Sequence, residues 1–298
     1  MRNNKPGNYS DLMSQVCILT DSTAQFPVHL FPGSDLVNVI PHHVQLDGPV
    51  NAQNKDVKLI HLPARVYAQS SLQLHSPSVE EFSQMFMNLG YRYREIVVIL
   101  ISAYLSSTMV NAQTAIETAK CPAAIHLVDS QTTTVGLGLL VQAAASAAQQ
   151  GLSGAQISRL VRGLTPHVYT VFCLHNLSYL SRAGFIDPAQ AVVGEMMEVV
   201  PFLTLENGRL SPSQKVRGSR HLVDMLCEFV MEFNAVKHVA LIQGVPAFDQ
   251  EARLLRERLS GLYRSNSFSE HTLSVPLAAL LGPHSLGLVV MENSTGEW

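Results

Sequence analysis

The chain predicts an α/β protein with two lobes. The first, over residues 15–165, is a mostly parallel sheet with helices on both faces; the second, over 166–298, is α+β. Three observations support this. Strand-like and helix-like stretches alternate through the first half, the pattern of strands joined by crossover helices. From about His167 the pattern changes to hairpins and sequential strands. Finally, 47% hydrophobic against 14% charged residues provides for a large core and excludes general disorder.

The elements follow in order. Residues 1–14 are polar, lack the apolar run of a signal peptide, and read as a mobile tail. Val16-Cys17-Ile18-Leu19 is a strand ending in Thr20-Asp21-Ser22-Thr23. Ile96 to Ile101 is a second strand, ending in Ser102 and then Ser106-Ser107-Thr108. After it, Leu105, Met109, Ala112 and Ile116 recur at helical spacing, with Ser106 or Ser107 as the capping hydroxyl. Ala124 to Val128 is a third strand, ending in Asp129-Ser130 and Thr132-Thr133-Thr134, and Gly136–Gln149 reads as helix. In a parallel sheet the strand carboxyl ends share one edge, where ligands bind. Three hydroxyl-rich ends there predict a polar floor, although Asp21 and Asp129 more commonly stabilise turns by accepting backbone N–H bonds.

The second half begins with a strand over Val168–Cys173. Phe202–Leu205 and Arg209-Leu210 flank Asn207-Gly208, a hairpin signature. A helix from about Ser219 carries Leu222, Leu226, Phe229, Val230 and Phe233 on one stripe. A strand over His238–Ile242, a helix over Phe248–Leu262, and strands near Leu273–Val275 and Leu286–Met291 complete the chain. The apolar tract Leu273–Met291 nears membrane-span length, but Pro276, Pro283 and His284 interrupt it, and a buried strand–loop–strand is expected instead.

Several chemistries are excluded or disfavoured. A net charge of −3 with scattered Lys and Arg gives no grip on nucleic acid. No glycine-rich phosphate loop is present, and nothing calls for a cofactor. Cys17, Cys121, Cys173 and Cys227 form no CxxC pair and read as reduced thiols of a cytoplasmic protein. His42-His43 and His75 lack metal-ligand spacing. Pro283-His284-Ser285-Leu286-Gly287 approaches a hydrolase nucleophile elbow, but its first glycine is missing and no downstream His or Asp completes a triad on Ser285.

The ordered segments resemble the DegV family. The carriers are Thr20-Asp21-Ser22-Thr23; Ser102 to Thr108; Asp129-Ser130 leading to Gly136-Leu137-Gly138; Tyr179 to Ile186; and Lys215-Val216-Arg217-Gly218. The resemblance runs from about Val16 to Val290 and implies two α/β lobes with a long-chain fatty acid, or similar lipid, held between them. It also implies a fatty acid kinase as partner and no catalytic residue in the chain itself. The implied ligand positions are Ser102, Ala103, Leu74, His75, Phe185, His284 and Ser285. Leu74 stands where the family has a threonine, Ala103 for a serine, Phe185 for an arginine, and Leu280 for a histidine. These apolar replacements predict that lipid binding persists while the phosphoryl-transfer role is lost or altered, with His75, His284 and Ser285 as replacement donors. An active acyl-presenting subunit is the alternative.

Overall fold

The computed structural model describes residues 16–46, 57–66, 72–216, 218–259 and 267–293. The tail expected over 1–14, Arg217, and the last residues expected in the helix ending at Leu262 lie outside the described residues.

Among the described residues, β1 (Val16–Asp21), β2 (Val37–Ile40), β5 (Glu95–Leu100) and β6 (Ala124–Asp129) form a parallel sheet in the order β2-β1-β5-β6. A short antiparallel ribbon pairs β3 (His43–Gln45) with β4 (Gln73–His75). Alternation along β1 sorts its side chains. Val16 and Ile18 pack on α3 (Thr134–Gln149) and α4 (Gly154–Leu164), while Cys17 and Leu19 pack on α1 (Val79–Gly90) and α2 (Thr108–Thr118). Helices therefore cover both faces, and β5, buried on each from Ile96 on, reads as an unbroken apolar run after Glu95.

The second sheet has the order β11-β10-β12-β7-β8-β9 and is antiparallel except for β10 with β11. Its strands are β7 (Val168–Leu174), β8 (Val200–Glu206), β9 (Arg209–Val216), β10 (Val236–Gln243), β11 (Phe268–Thr272) and β12 (Ser285–Glu292). The predicted Asn207-Gly208 turn is present, with φ of 49° and 82°, the left-handed pair that a two-residue hairpin requires. One face packs on α7 (Ser219–Met231) and α8 (Asp249–Leu259). The other face, with Phe172, Leu174, Leu203 and Val289, meets α5 (Leu177–Arg182), α9 (Val275–Leu281) and residues of the first half, including Val44, Ile101 and Leu105. This shared core joins the lobes. The remaining helix, α6 (Pro188–Met196), lies beside α5.

Two expectations need correction. The tract from Leu273 is a helix, not a strand: β11 ends at Thr272, and α9 starts at Val275 with Pro276 in its first turn. Proline fits a helix N-terminus, and a short apolar run does not by itself distinguish a buried strand from a buried helix. Leu105 precedes α2 in a turn closed by its N–H on the Ser102 carbonyl. At the start of α2, Ser107 makes no capping bond; Ser106 Oγ accepts the Thr108 N–H instead.

Candidate functional site

Two places compete for the site. The first is the carboxyl edge of the parallel sheet, where the polar strand ends of β1, β5 and β6 adjoin. Asp21 is fully buried. Its Oδ1 accepts the Thr23 N–H at 2.9 Å and the Thr23 hydroxyl at 2.6 Å, and its Oδ2 accepts the Ile101 N–H at 2.7 Å. Three donors compensate a carboxylate removed from water. Ser102, also fully buried, donates to the Gly208 carbonyl at 2.7 Å, so its proton seats the β8–β9 hairpin tip on the first lobe. Next to it the Arg209 guanidinium lies 3.9 Å from the Tyr104 ring centroid, a cation–π contact. The exposed Ala103 contributes only its N–H, 3.4 Å from Asp129 Oδ1. Burial raises the Asp129 pKa, opposed by bonds from the Gln131 and Ala103 N–H groups. Most of this edge is taken up by its own hydrogen bonds, and the Thr20, Thr133 and Thr134 hydroxyls are buried there without a hydrogen-bond partner among the described residues.

A chain of polar groups, buried at His42 and Thr108 and partly exposed at Ser106 and Ser76, lies nearby. His42 Nε2 is 3.0 Å from Thr108 Oγ1, which is 2.6 Å from Ser106 Oγ, in turn 2.7 Å from Ser76 Oγ. Burial is the larger effect on His42 and lowers its pKa against the attraction of Asp21. The 3.8 Å approach of His42 to Asp21 is therefore that of a neutral imidazole, not an ion pair.

The second place is a cleft of about 740 Å³ walled by α5, α6, β8 and β9, within the 300–1,000 Å³ range typical of ligand pockets. Its walls include Leu177, Leu180, Phe185, Ile186, Val193, Met197, Leu203 and Leu210; Gln190 and Lys215 supply the polar side chains. Local sequence places Phe185. Helix α5 ends at Arg182 and is closed by Gly184, φ 80°, with the Gly184 N–H on the Ser181 carbonyl and the Phe185 N–H on that of Leu180. This is a Schellman turn, in which the residue after the glycine packs back on the last helical turn; both Phe185 and Leu180 face the cleft. Asp187 and Pro188 then start α6, with a capping box to Gln190. Tyr179 supports the same helix from below, its hydroxyl donating to the Pro63 carbonyl. Val192, Val193 and Met196 of α6 and its C-cap Met197 are each more than half accessible, Val193 and Met197 on the cleft side.

Of the expected ligand residues, then, Phe185 lines the cleft. Leu74 packs on the core that includes Leu177, Leu180 and Leu203, which also line it. His75 is exposed at the end of β4, opposite His43. Ser102 and Ala103 lie at the sheet edge. His284 stacks on His175 and Phe248, with ring centroids 4.5 and 4.4 Å apart. Ser285 is buried and donates to the Gly282 carbonyl at 2.8 Å, which leaves a nucleophile no free hydroxyl proton. The cleft residues that sequence reading missed are on α6 and at Lys215. The doublets Val192-Val193 and Met196-Met197, four residues apart, were the available signal.

A family model described as an uncharacterised protein of the DegV family matches residues 15–293. A DegV domain-containing protein of Deinococcus radiodurans is 26% identical over 280 residues, covering 92% of this chain and 98% of that one. Among solved structures, a fatty-acid-binding DegV family protein from Thermus thermophilus superposes with a TM-score of 0.78 at 23% identity, covering 94% of this chain and 100% of that one. The Fatty Acid Kinase (Fak) B3 protein of Streptococcus pneumoniae, loaded with linoleic acid, superposes with a TM-score of 0.78 at 18% identity and the same coverage.

Proposed function

The chain belongs to the DegV family, and from that premise we propose that it is a lipid-binding protein holding a long-chain fatty acid, or a lipid of similar shape, in the cleft between α5, α6 and the β8–β9 hairpin. The observation that supports this best is the cleft itself: open, large, and walled by apolar side chains with Phe185 among them. Each methylene buried there contributes roughly 0.8 kcal/mol, less the cost of ordering the chain. The fatty acids bound by the structural neighbours are consistent with the same ligand class.

Binding, rather than catalysis, is the proposed role. Phe185 and Leu74 stand where the resemblance expects an arginine and a threonine, and both are apolar packing residues here. Their placement supports a lost or altered part in phosphoryl transfer, so a fatty acid kinase is a partner only in the alternative reading. No described helix is long and apolar enough to cross a membrane, and all four cysteines are free; we place the protein in the cytoplasm.

Organic extraction of the purified full-length protein, followed by mass spectrometry and by calorimetric titration of the stripped protein with hexadecanoic acid, tests the proposal. The expected result is a co-purifying acyl lipid and saturable uptake near one equivalent. Absence of both defeats it. Conversion of fatty acid to acyl phosphate on adding a fatty acid kinase and ATP would favour the alternative.

A further inference from the structure

Among the described residues that line the cleft, one is a cation, Lys215, and a backbone irregularity aims it inward. On β9, Leu210 and Pro212 line the cleft, so strict alternation would put Gln214 there and turn Lys215 away. The register shifts instead: Leu203 pairs with Pro212, but Phe202 pairs with Gln214, which makes Ser213 an extra residue. Its hydroxyl fastens the bulge by donating to the Phe202 carbonyl at 3.1 Å. Beyond it the faces exchange. Ser213 and Gln214 line the hollow on the opposite side, Val216 joins the core under α7, and Lys215 joins Leu210 and Pro212 on the cleft. Bulges commonly re-aim a side chain in this way.

No described carboxylate neutralises this ammonium. No carboxylate lines the cleft, and Lys215 has no ion pair among the described residues. The other polar liner, Gln190, accepts the Asp187 N–H on its Oε1, which leaves its amide NH₂ as a donor. An apolar trough with a lone cation and a lone amide donor is complementary to an amphiphile with a single anionic head.

We propose that the ionised carboxylate of the ligand sits at the Lys215 end of the cleft, with Gln190 as second donor and the acyl chain running along β9 towards Leu210. That run covers about 15 Å at the usual rise of a strand. The assignment rests on the lipid-binding reading and adds the head-group class and its direction.

Calorimetric titration of the full-length protein with hexadecanoic acid and with uncharged hexadecanol tests it. The variants are Lys215→Met, which keeps the apolar stem, and Lys215→Arg, which keeps the charge; Lys215 is exposed, and thermal melts check that both fold. Lys215→Met is expected to weaken hexadecanoic acid about tenfold, roughly 1.4 kcal/mol, while leaving hexadecanol unchanged, and Lys215→Arg to restore acid binding. Equal acid affinity in wild type and Lys215→Met overturns the assignment alone, as does an equal loss for acid and alcohol. If the wild-type protein binds neither lipid, the lipid-binding reading falls and takes this assignment with it.

Discussion

The carboxyl edge of the parallel sheet and the cleft on the second sheet are opposites. The edge is crowded with polar groups and closed; the cleft is nearly devoid of them and open. At the edge Asp21 satisfies three donors, and Ser102 holds the hairpin of the other lobe. In the cleft, Phe185, Leu203 and Leu210 line empty volume. A density of hydroxyls at strand ends thus does not by itself mark a ligand site: Asp21 and Ser102 are bonded internally, and the hydroxyls without a partner among the described residues, those of Thr20, Thr133 and Thr134, are buried. Free energy for holding a lipid lies where apolar surface remains uncovered.

The sharpest way to break this contrast is Asp21→Ala. It leaves the Thr23 N–H, the Thr23 hydroxyl and the Ile101 N–H without their acceptor in a dry interior. At about 1–3 kcal/mol for each buried group left unsatisfied, and with some relaxation, the expected loss is roughly 3–5 kcal/mol in urea denaturation. Hexadecanoic acid affinity of the folded protein should stay within about twofold, or 0.4 kcal/mol. A stable variant that no longer binds lipid would make the edge the binding site and reverse the contrast.

A smaller effect is expected at the contact between the regions. An added Cβ at Gly208 would stand 2.4 Å from Ser102 Oγ, and the glycine's φ of 82° disfavours any side chain. The left-handed conformation alone costs about 1–2 kcal/mol, so Gly208→Ala should destabilise by about 2 kcal/mol. Because β8 and β9 wall the cleft, a tip lifted from the edge should also weaken acyl binding severalfold. Lost stability with unchanged affinity would show the two regions to be independent.

The distribution of polar and apolar residues explains what the sequence made legible. Strand–helix alternation, the Asn207-Gly208 hairpin and the buried β5 are local signals, and each element lies where its pattern indicates. The fate of the Ser102 hydroxyl was not legible, because its partner Gly208 is 106 residues away on another sheet. Lys215 was visible as part of a motif, but its direction depends on one extra residue in β9, and a bulge leaves no trace in alternation that is already broken by Pro212. Phe185 was legible as an apolar residue at an expected polar position, and the Schellman turn explains how it reaches the cleft.

The smallest effect concerns a third set of strand ends, those of the second sheet, which carry imidazoles in place of hydroxyls. His175 follows β7 and His284 precedes β12; the rings stack on each other and on Phe248, and His175 Nδ1 is buried without a hydrogen-bond partner among the described residues. Burial, reinforced by repulsion from His284 and opposed by Glu251, lowers the His175 pKa to about 4, and burial lowers that of His284 too. The unfolded chain, with histidine near its ordinary 6.5, therefore takes up protons that the folded chain refuses, and stability rises with pH where the unfolded state binds more protons. Folding free energy should fall as pH drops from 6.5 towards 4 and level off below that. The ring is part-exposed, and solvent screening reduces its share between pH 6.5 and 5 to about 1 kcal/mol. Thermal melts across this window should show His175→Phe, which keeps an aromatic ring in the stack, with a flatter acid limb than the wild type. An acid limb of unchanged slope would mean that the stack accepts a proton as readily as the unfolded chain, and that these strand ends, unlike those of the first sheet, are open to solvent.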